Sequence, residues 1–234
     1  SAAMWLIGGL ALGVSRPTNT WDFPVYLALA VVAVIAAQWL RDEKFSRENL
    51  WGAAWRVALL VGLAVLLYQP FAYWYGSGYN SVKAWEGGRT PLDAYLYIHG
   101  LFLFCLVTFL VWETRRWLAE TPAAILTDVS DWGPAAVAAL LALIGCVGAF
   151  LYLKIEIGLI ALPLMVWAGL LMLRSSARMP NEKRVVFFLL GTGLALTLVV
   201  ELVVLEGDVS RMNTVFKFYL QVWTLFSIAA AAAL

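Results

Sequence analysis

The stretch EGDVSRMNTVFKFYLQ, residues 206–221, mixes charge and apolar residues more densely than any other part of the chain. Glu206 and Asp208 stand just ahead of Arg211, and two carboxylates so placed can offer oxygen ligands to a divalent cation. Ser210 is of a type that caps helix N-termini, so a helix is expected to start there. Asn213, Lys217 and Gln221 then fall at i, i+4 and i+8 and stack on one face. That face runs roughly 12 Å into an apolar segment. Ionisable groups at such depth are costly and normally face a bundle interior or a wet cavity. Snorkelling at a helix end accounts for Lys217, but not for Gln221 one turn deeper.

A second constellation is Arg16, Asn19, Trp21 and Asp22. Thr20 can cap a helix whose first turn holds Asp22, where a carboxylate is favourable against the dipole, and Pro24 is tolerated there. Helix capping suffices for Asp22 but leaves Arg16 and Asn19 unexplained. An arginine beside a carboxylate at a membrane surface suits a phosphate-bearing ligand, because its planar fork binds phosphate bidentately.

Residues 70–93 carry Phe71, Tyr73, Trp74, Tyr75, Tyr79 and Trp85, then Glu86 and Arg89. Aromatic rings at a water–lipid boundary form an anchoring belt; sugar stacking is the alternative. Glu86 precedes Gly87 and Gly88, as a mobile substrate-covering loop requires. His99 is the single histidine, open to a core hydrogen-bonding role or to substrate contact. Glu201 needs a partner, and Arg211 or Lys217 is nearest in sequence.

The elements that must position these groups are membrane helices. The chain of 234 residues is 63% hydrophobic and only 13% charged, about half the charged fraction of a soluble domain, with a mean hydropathy of +0.83. Apolar runs of about 20 residues separated by short charged ones define an all-α, multi-pass bundle. Eight spans are expected, near 2–14, 22–40, 50–69, 94–112, 133–152, 157–173, 184–205 and 214–234, in a single transmembrane domain. Both ends read as cut within apolar segments, so the chain is expected to be a piece of a larger membrane protein. Gly9 and Gly13 match a helix-packing GxxxG, and Gly191 and Gly193 imply close approach within a span.

Ten Lys and Arg fall in the loops 41–56, 113–132 and 174–184, against six in the alternate ones, which places the first set in the cytoplasm. The candidate residues then gather at the extracytoplasmic face. Cys105 and Cys146 sit in apolar runs as packing residues. The chain has no P-loop, HExxH or GxSxG, and its net charge of +1 gives no reason to expect nucleic acid.

The runs RPTNTWDFPVY (16–26) and DVSRMNTVFKFYLQVW (208–223) resemble signatures of the YYY-domain (Chlor_Arch_YYY type) integral membrane proteins, a family grouped by similarity with GT-C-type glycosyltransferases. The resemblance covers the chain from about residue 15 onward; at the expected tyrosine cluster stands Phe218-Tyr219-Leu220. It implies a prokaryotic plasma-membrane protein that uses a polyprenyl-phosphate-linked sugar at the extracytoplasmic face. In that scheme Asp22 or Asp208 is the general base. Arg16, Arg211 and Lys217 hold the carrier phosphate, with Asn19, Trp21, Glu86, His99, Glu206, Asn213, Tyr219 and Gln221 around the substrate. A divalent metal at Glu206 and Asp208 is a further expectation. Membrane lipid is the expected partner in any case. A transporter or flippase of a lipid-linked or polar solute, or a non-catalytic scaffold, are the alternative readings.

Overall fold

The computed structural model describes residues 1–42, 47–75, 81–121, 133–173 and 179–234. The chain forms two compact units, Ser1–Asn80 and Ser81–Leu234.

In the first unit, helices α1 (Ala2–Gly13), α2 (Ser15–Thr18), α3 (Asp22–Asp42), α4 (Arg47–Leu66) and α5 (Gln69–Trp74) follow one another. In lipid an apolar face gains little by leaving the solvent, so close packing of small residues and hydrogen bonding hold helices together. The GxxxG of α1 works in this way. A Cβ on Gly9 would stand 2.5 Å from Leu63, and one on Gly13 would meet the Tyr68 ring at 2.4 Å. Leu12, Leu60 and Ala64 form the buried centre, with Trp5, Phe23 and Tyr26 against it.

The second unit comprises α6 (Leu92–Glu120), α7 (Gly133–Tyr152), α8 (Gly158–Leu173), α9 (Asn181–Leu202) and α10 (Met212–Ala233), with strands β1 (Val82–Ala84) and β2 (Val203–Leu205). Packing is most extensive between α9 and α10 and between α9 and α8. Gly193 of α9 lets the Phe226 ring of α10 approach, a Cβ there falling 2.4 Å from it, while Gly191 faces open space. Phe109 and Phe187 pack at 5.2 Å between α6 and α9.

Two buried ion pairs mark the ends of this unit. Glu113 of α6 pairs with Lys183 of α9 at one end, and Glu201 of α9 pairs with Arg211 at the other. Lys183 and Glu201 lie eighteen residues apart, about 27 Å of helix, close to the ~30 Å of a bilayer's hydrocarbon core. The carboxylates thus stand at the two edges of an apolar slab rather than inside it. Residues 81–92, 153–157 and 203–211 share the Glu201 end: Leu92 N–H donates to Glu156 Oε2 at 3.1 Å, and Trp85 N–H to Leu202 O at 2.8 Å.

Among the described residues four helices are long and apolar enough to cross a membrane: Arg47–Leu66, Leu92–Glu120, Asn181–Leu202 and Met212–Ala233. Asp22–Gln38, Val137–Tyr152 and Gly158–Leu173 are shorter apolar helices. The architecture is a helical membrane bundle, with boundaries that differ from the expected ones in three places. Helix α6 continues past residue 112 to Glu120, supported by a Trp167 Nε1–H bond to Thr114 Oγ1 at 2.8 Å and an Arg116–Glu120 pair at 2.8 Å. The span expected to reach 205 stops at Leu202, because β-branched Val203 and Val204 leave the helix to pair with β1. The register is antiparallel, Val82 opposite Leu205 and Ala84 opposite Val203. The loop expected over 70–93 therefore contains that strand and part of α5.

Candidate functional site

The turn from β2 into α10 sets the site's geometry. Gly207 (φ 87°) and Ser210 (φ 58°) both take left-handed backbone, which costs a non-glycine residue of order 1 kcal/mol. Ser210 therefore does not cap α10; the helix starts at Met212 with Arg211 at its N-cap. Asp208 supplies the cap instead. Its Oδ1 accepts the Asn213 N–H at 3.1 Å, and its Oδ2 accepts the Thr214 N–H and hydroxyl at 2.7 Å each. Partial burial pushes this carboxyl up, but those donors outweigh it and hold Asp208 below the usual carboxylate range. A carboxylate so held is a weak base. Glu206 is also held below its ordinary value, by Lys83 at 2.5 Å and by the Ser81 hydroxyl. The two acids suggested as a metal site thus spend their oxygens on different partners. Among the described residues no group of three or more His, Cys, Asp or Glu converges.

Arg211 is the hub. One guanidinium nitrogen donates to Val200 O at 2.9 Å and to Glu201 Oε1 at 2.8 Å. The other donates to Thr90 Oγ1 at 2.9 Å. The fork lies 5.6 Å over the Trp85 ring, within cation–π reach. Glu201, fully buried, also accepts the Thr90 N–H at 2.9 Å and the Thr90 hydroxyl at 2.5 Å. Arg89 donates to the Glu201 carbonyl. Arg211, one of the two partners expected for Glu201, is bonded to it.

Two cavities flank this network. One is an apolar groove of about 620 Å³ along α6 and α10, lined by Ile98, Val215, Phe216, Tyr219, Leu220 and Trp223, with Ser210, Arg211 and Met212 at its polar end. The other, of about 410 Å³, is lined by Glu86, Gly87, Gly88, Arg89, Thr90, Pro91, Leu153, Lys154 and Glu156. Arg211 belongs to the first and Thr90 to the second, so their hydrogen bond joins the two walls.

The Gly87–Gly88 turn is pinned. Trp85 Nε1–H donates to Gly88 O at 2.9 Å, and a Cβ on Gly87 would fall 2.2 Å from the indole. Glycine stands there for close approach rather than for mobility, and Glu86 is carried on a fixed turn.

Helical spacing places Asn213 and Lys217, both half-buried, in line with the buried Gln221, and Lys217 lines neither cavity. Gln221 Oε1 and both ring nitrogens of the fully buried His99 have no hydrogen-bond partner among the described residues. His99 packs against Tyr219, ring centres 4.8 Å apart, and against Tyr95 and Phe226.

Arg16, Asn19, Trp21 and Asp22 belong to the first unit. Asn19 Nδ2–H donates to Asp22 Oδ1 at 2.6 Å, and the Asp22 N–H to Asn19 O at 2.8 Å, which fixes the start of α3. Thr20, expected as the cap, turns its hydroxyl back to Arg16 O at 3.4 Å. Tyr79 and the basic residues Lys44, Arg174 and Arg178 lie outside the described residues.

Sequence reasoning missed Thr90, Lys154 and Glu156. Thr90 had a signal, a hydroxyl just before the helix-starting Pro91. Lys154 sits in a helix-ending turn normally marked by glycine. Its N–H reaches Leu151 O at 3.1 Å and the Ile155 N–H reaches Phe150 O at 2.8 Å, a Schellman pattern with lysine at φ 56°.

A bundle of apolar helices with its polar network at one edge of the slab defines a multi-pass membrane protein. The chain belongs to the uncharacterized membrane protein family DUF2298, whose model matches residues 1–226. No curated protein and no solved structure matches it.

Proposed function

We propose that this protein is a GT-C-like membrane glycosyltransferase that uses a polyprenyl-phosphate-linked sugar at the extracytoplasmic face. The observation that carries the reading is the Arg211–Thr90 bond, which joins an apolar groove to a cavity lined by charged residues. An isoprenoid tail fits beside Phe216, Leu220 and Trp223, and Arg211 at the groove's polar end meets the carrier phosphate. A polar acceptor enters from the charged side. In the reaction the bond from sugar C1 to the phosphate oxygen breaks and one to the acceptor oxygen forms. The acceptor's proton passes to a carboxylate, and the carrier leaves as its phosphate anion, stabilised by Arg211. The sequence offers Asp22 or Asp208 as that base, and Asp208 is committed to capping α10. Similarity of RPTNTWDFPVY and DVSRMNTVFKFYLQVW to the YYY-domain proteins supports the same reading.

The test uses the purified protein in nanodiscs with a polyprenyl-phosphate hexose and a mixture of soluble polar acceptors. Release of polyprenyl phosphate that depends on acceptor, and falls at least tenfold in Arg211→Lys, is expected. No release above that of empty nanodiscs overturns the reading. A transporter is the second reading, favoured by His99 and Gln221, whose buried polar atoms reach toward the slab's midplane; uptake of a polar solute into proteoliposomes without its modification would select it.

A further inference from the structure

The charged cavity beside Thr90 has a feature that helix packing does not demand. Four ionisable side chains line it, Glu86, Arg89, Lys154 and Glu156. Two are acids and two are bases, yet among the described residues no ion pair joins any two of them. Charges of opposite sign around one cavity that stay apart leave room for something between them.

Lysine at position 154 sharpens the point. The turn closing α7 favours glycine, since its left-handed backbone strains every residue with a Cβ. Attraction to the α7 dipole could be had without strain from a lysine in the last turn, which holds no basic residue. Position 154 instead places a lysine on the cavity wall. The facing wall is equally fixed, because Trp85 pins the turn that carries Glu86. Glu156 is held by the Leu92 N–H and Arg89 by the Glu201 carbonyl. Glu86 and Lys154 are therefore the pair free to meet a ligand.

We infer that this cavity binds a zwitterion, a compound carrying a phosphate or carboxylate together with an ammonium group. Lys154, with Arg89 behind it, takes the anion, and Glu86, with Glu156 behind it, takes the amine. Two acids and two bases give each sign of such a ligand a partner, whereas a bare anion would leave Glu86 unmatched beside it. The inference rests on the transferase reading only in making this compound the acceptor; binding itself stands apart from it.

The experiment measures binding of phosphoethanolamine, inorganic phosphate and ethanolamine to the protein in phosphatidylglycerol nanodiscs. Phosphoethanolamine is expected to bind at least tenfold tighter than either fragment. Lys154→Gly should raise the thermal midpoint by about 2–4 °C, because it relieves the backbone, while weakening phosphoethanolamine at least tenfold. Glu86→Gln should weaken phosphoethanolamine similarly and leave inorganic phosphate unchanged. Phosphatidylethanolamine in the nanodisc separates the two sources of this chemistry: competition with soluble phosphoethanolamine assigns the site to a lipid headgroup, and its absence to a soluble compound. Equal affinity for phosphate and phosphoethanolamine, or undiminished binding in Lys154→Gly, overturns the inference. Tight binding without sugar transfer upholds the site and removes the transferase reading; transfer without such binding does the reverse.

Discussion

Arg211 and Thr90 are 121 residues apart in sequence and 2.9 Å apart in the structure, and Glu201 bonds to both. The three side chains close a ring at the edge of the apolar slab, where an unpaired charge is expensive. Each charge is matched inside the ring, which explains how a fully buried Glu201 is tolerated.

Removing one member should therefore cost more than removing the pair. Glu201→Leu or Arg211→Met alone is expected to lose about 3–5 kcal/mol, since each strands the other's charge. The double variant should recover at least half of that loss. Thermal unfolding of all three in one detergent checks this, and a double variant as unstable as the worse single would refute the ring's role.

Asp208 ties the turn to α10, so its loss is a capping loss. Asp208→Ala should cost about 1–2 kcal/mol. Its carboxyl is held below the ordinary value, so its contribution is fully present above the unfolded pKa and lost as pH falls through the folded one. Stability of the native protein should thus fall below the ordinary carboxylate range more steeply than that of Asp208→Ala. Parallel curves for the two would contradict it.

Gly87→Ala tests the pinned turn. A Cβ 2.2 Å from the Trp85 ring forces the indole away from its seat below Arg211. A loss of about 1–3 kcal/mol is expected from the overpacking, with Gly88→Ala, which meets nothing within 4 Å, close to neutral. Equal effects would return the loop to the mobile reading.

How much of this was legible beforehand depends on the range of the interaction. Apolar length and the small-residue spacing of Gly9 and Gly13 are local, and they gave the helical membrane class and one real packing contact. The pairing of Glu201 with Arg211 was also within reach, ten residues apart. The bond from Arg211 to Thr90 was not, because it depends on how β1 pairs with β2, a long-range register. Ser210 misled for a local reason: its capping preference lost to a two-oxygen carboxylate two residues earlier. The end of α7 at Tyr152 was legible from apolar length, whereas the left-handed backbone at Lys154 was not, since a sequence rule assigns that position to glycine.

Topology follows from the two ends of the second unit. Single cysteines at Asp93 and Asn181, in a background lacking Cys105 and Cys146, should label from opposite sides of the membrane. Asp93 stands in the first turn of α6 at the Glu201 end, and Asn181 opens α9 at the Lys183 end. By the charge count Asn181 is expected to label from the cytoplasmic side. Labelling of both from one side would remove the slab geometry and the extracytoplasmic site with it.

The final prediction separates two cations that the sequence alone would treat as one cradle. Arg211 lines the apolar groove, whereas Lys217 sits half-buried on the line of Asn213 and Gln221 and lines neither cavity. Binding of a polyprenyl-phosphate hexose should accordingly depend on the first and not on the second. Arg211→Lys keeps the charge opposite Glu201 and so keeps most of the stability, but it trades a planar fork for a point charge. It should weaken the ligand at least tenfold. Lys217→Met keeps the apolar stem and should leave affinity within about twofold. Affinity measured in nanodiscs, alongside melting curves that show both variants folded, decides the matter. Loss of binding in Lys217→Met with retention in Arg211→Lys would move the phosphate off the groove and onto the inward face of α10.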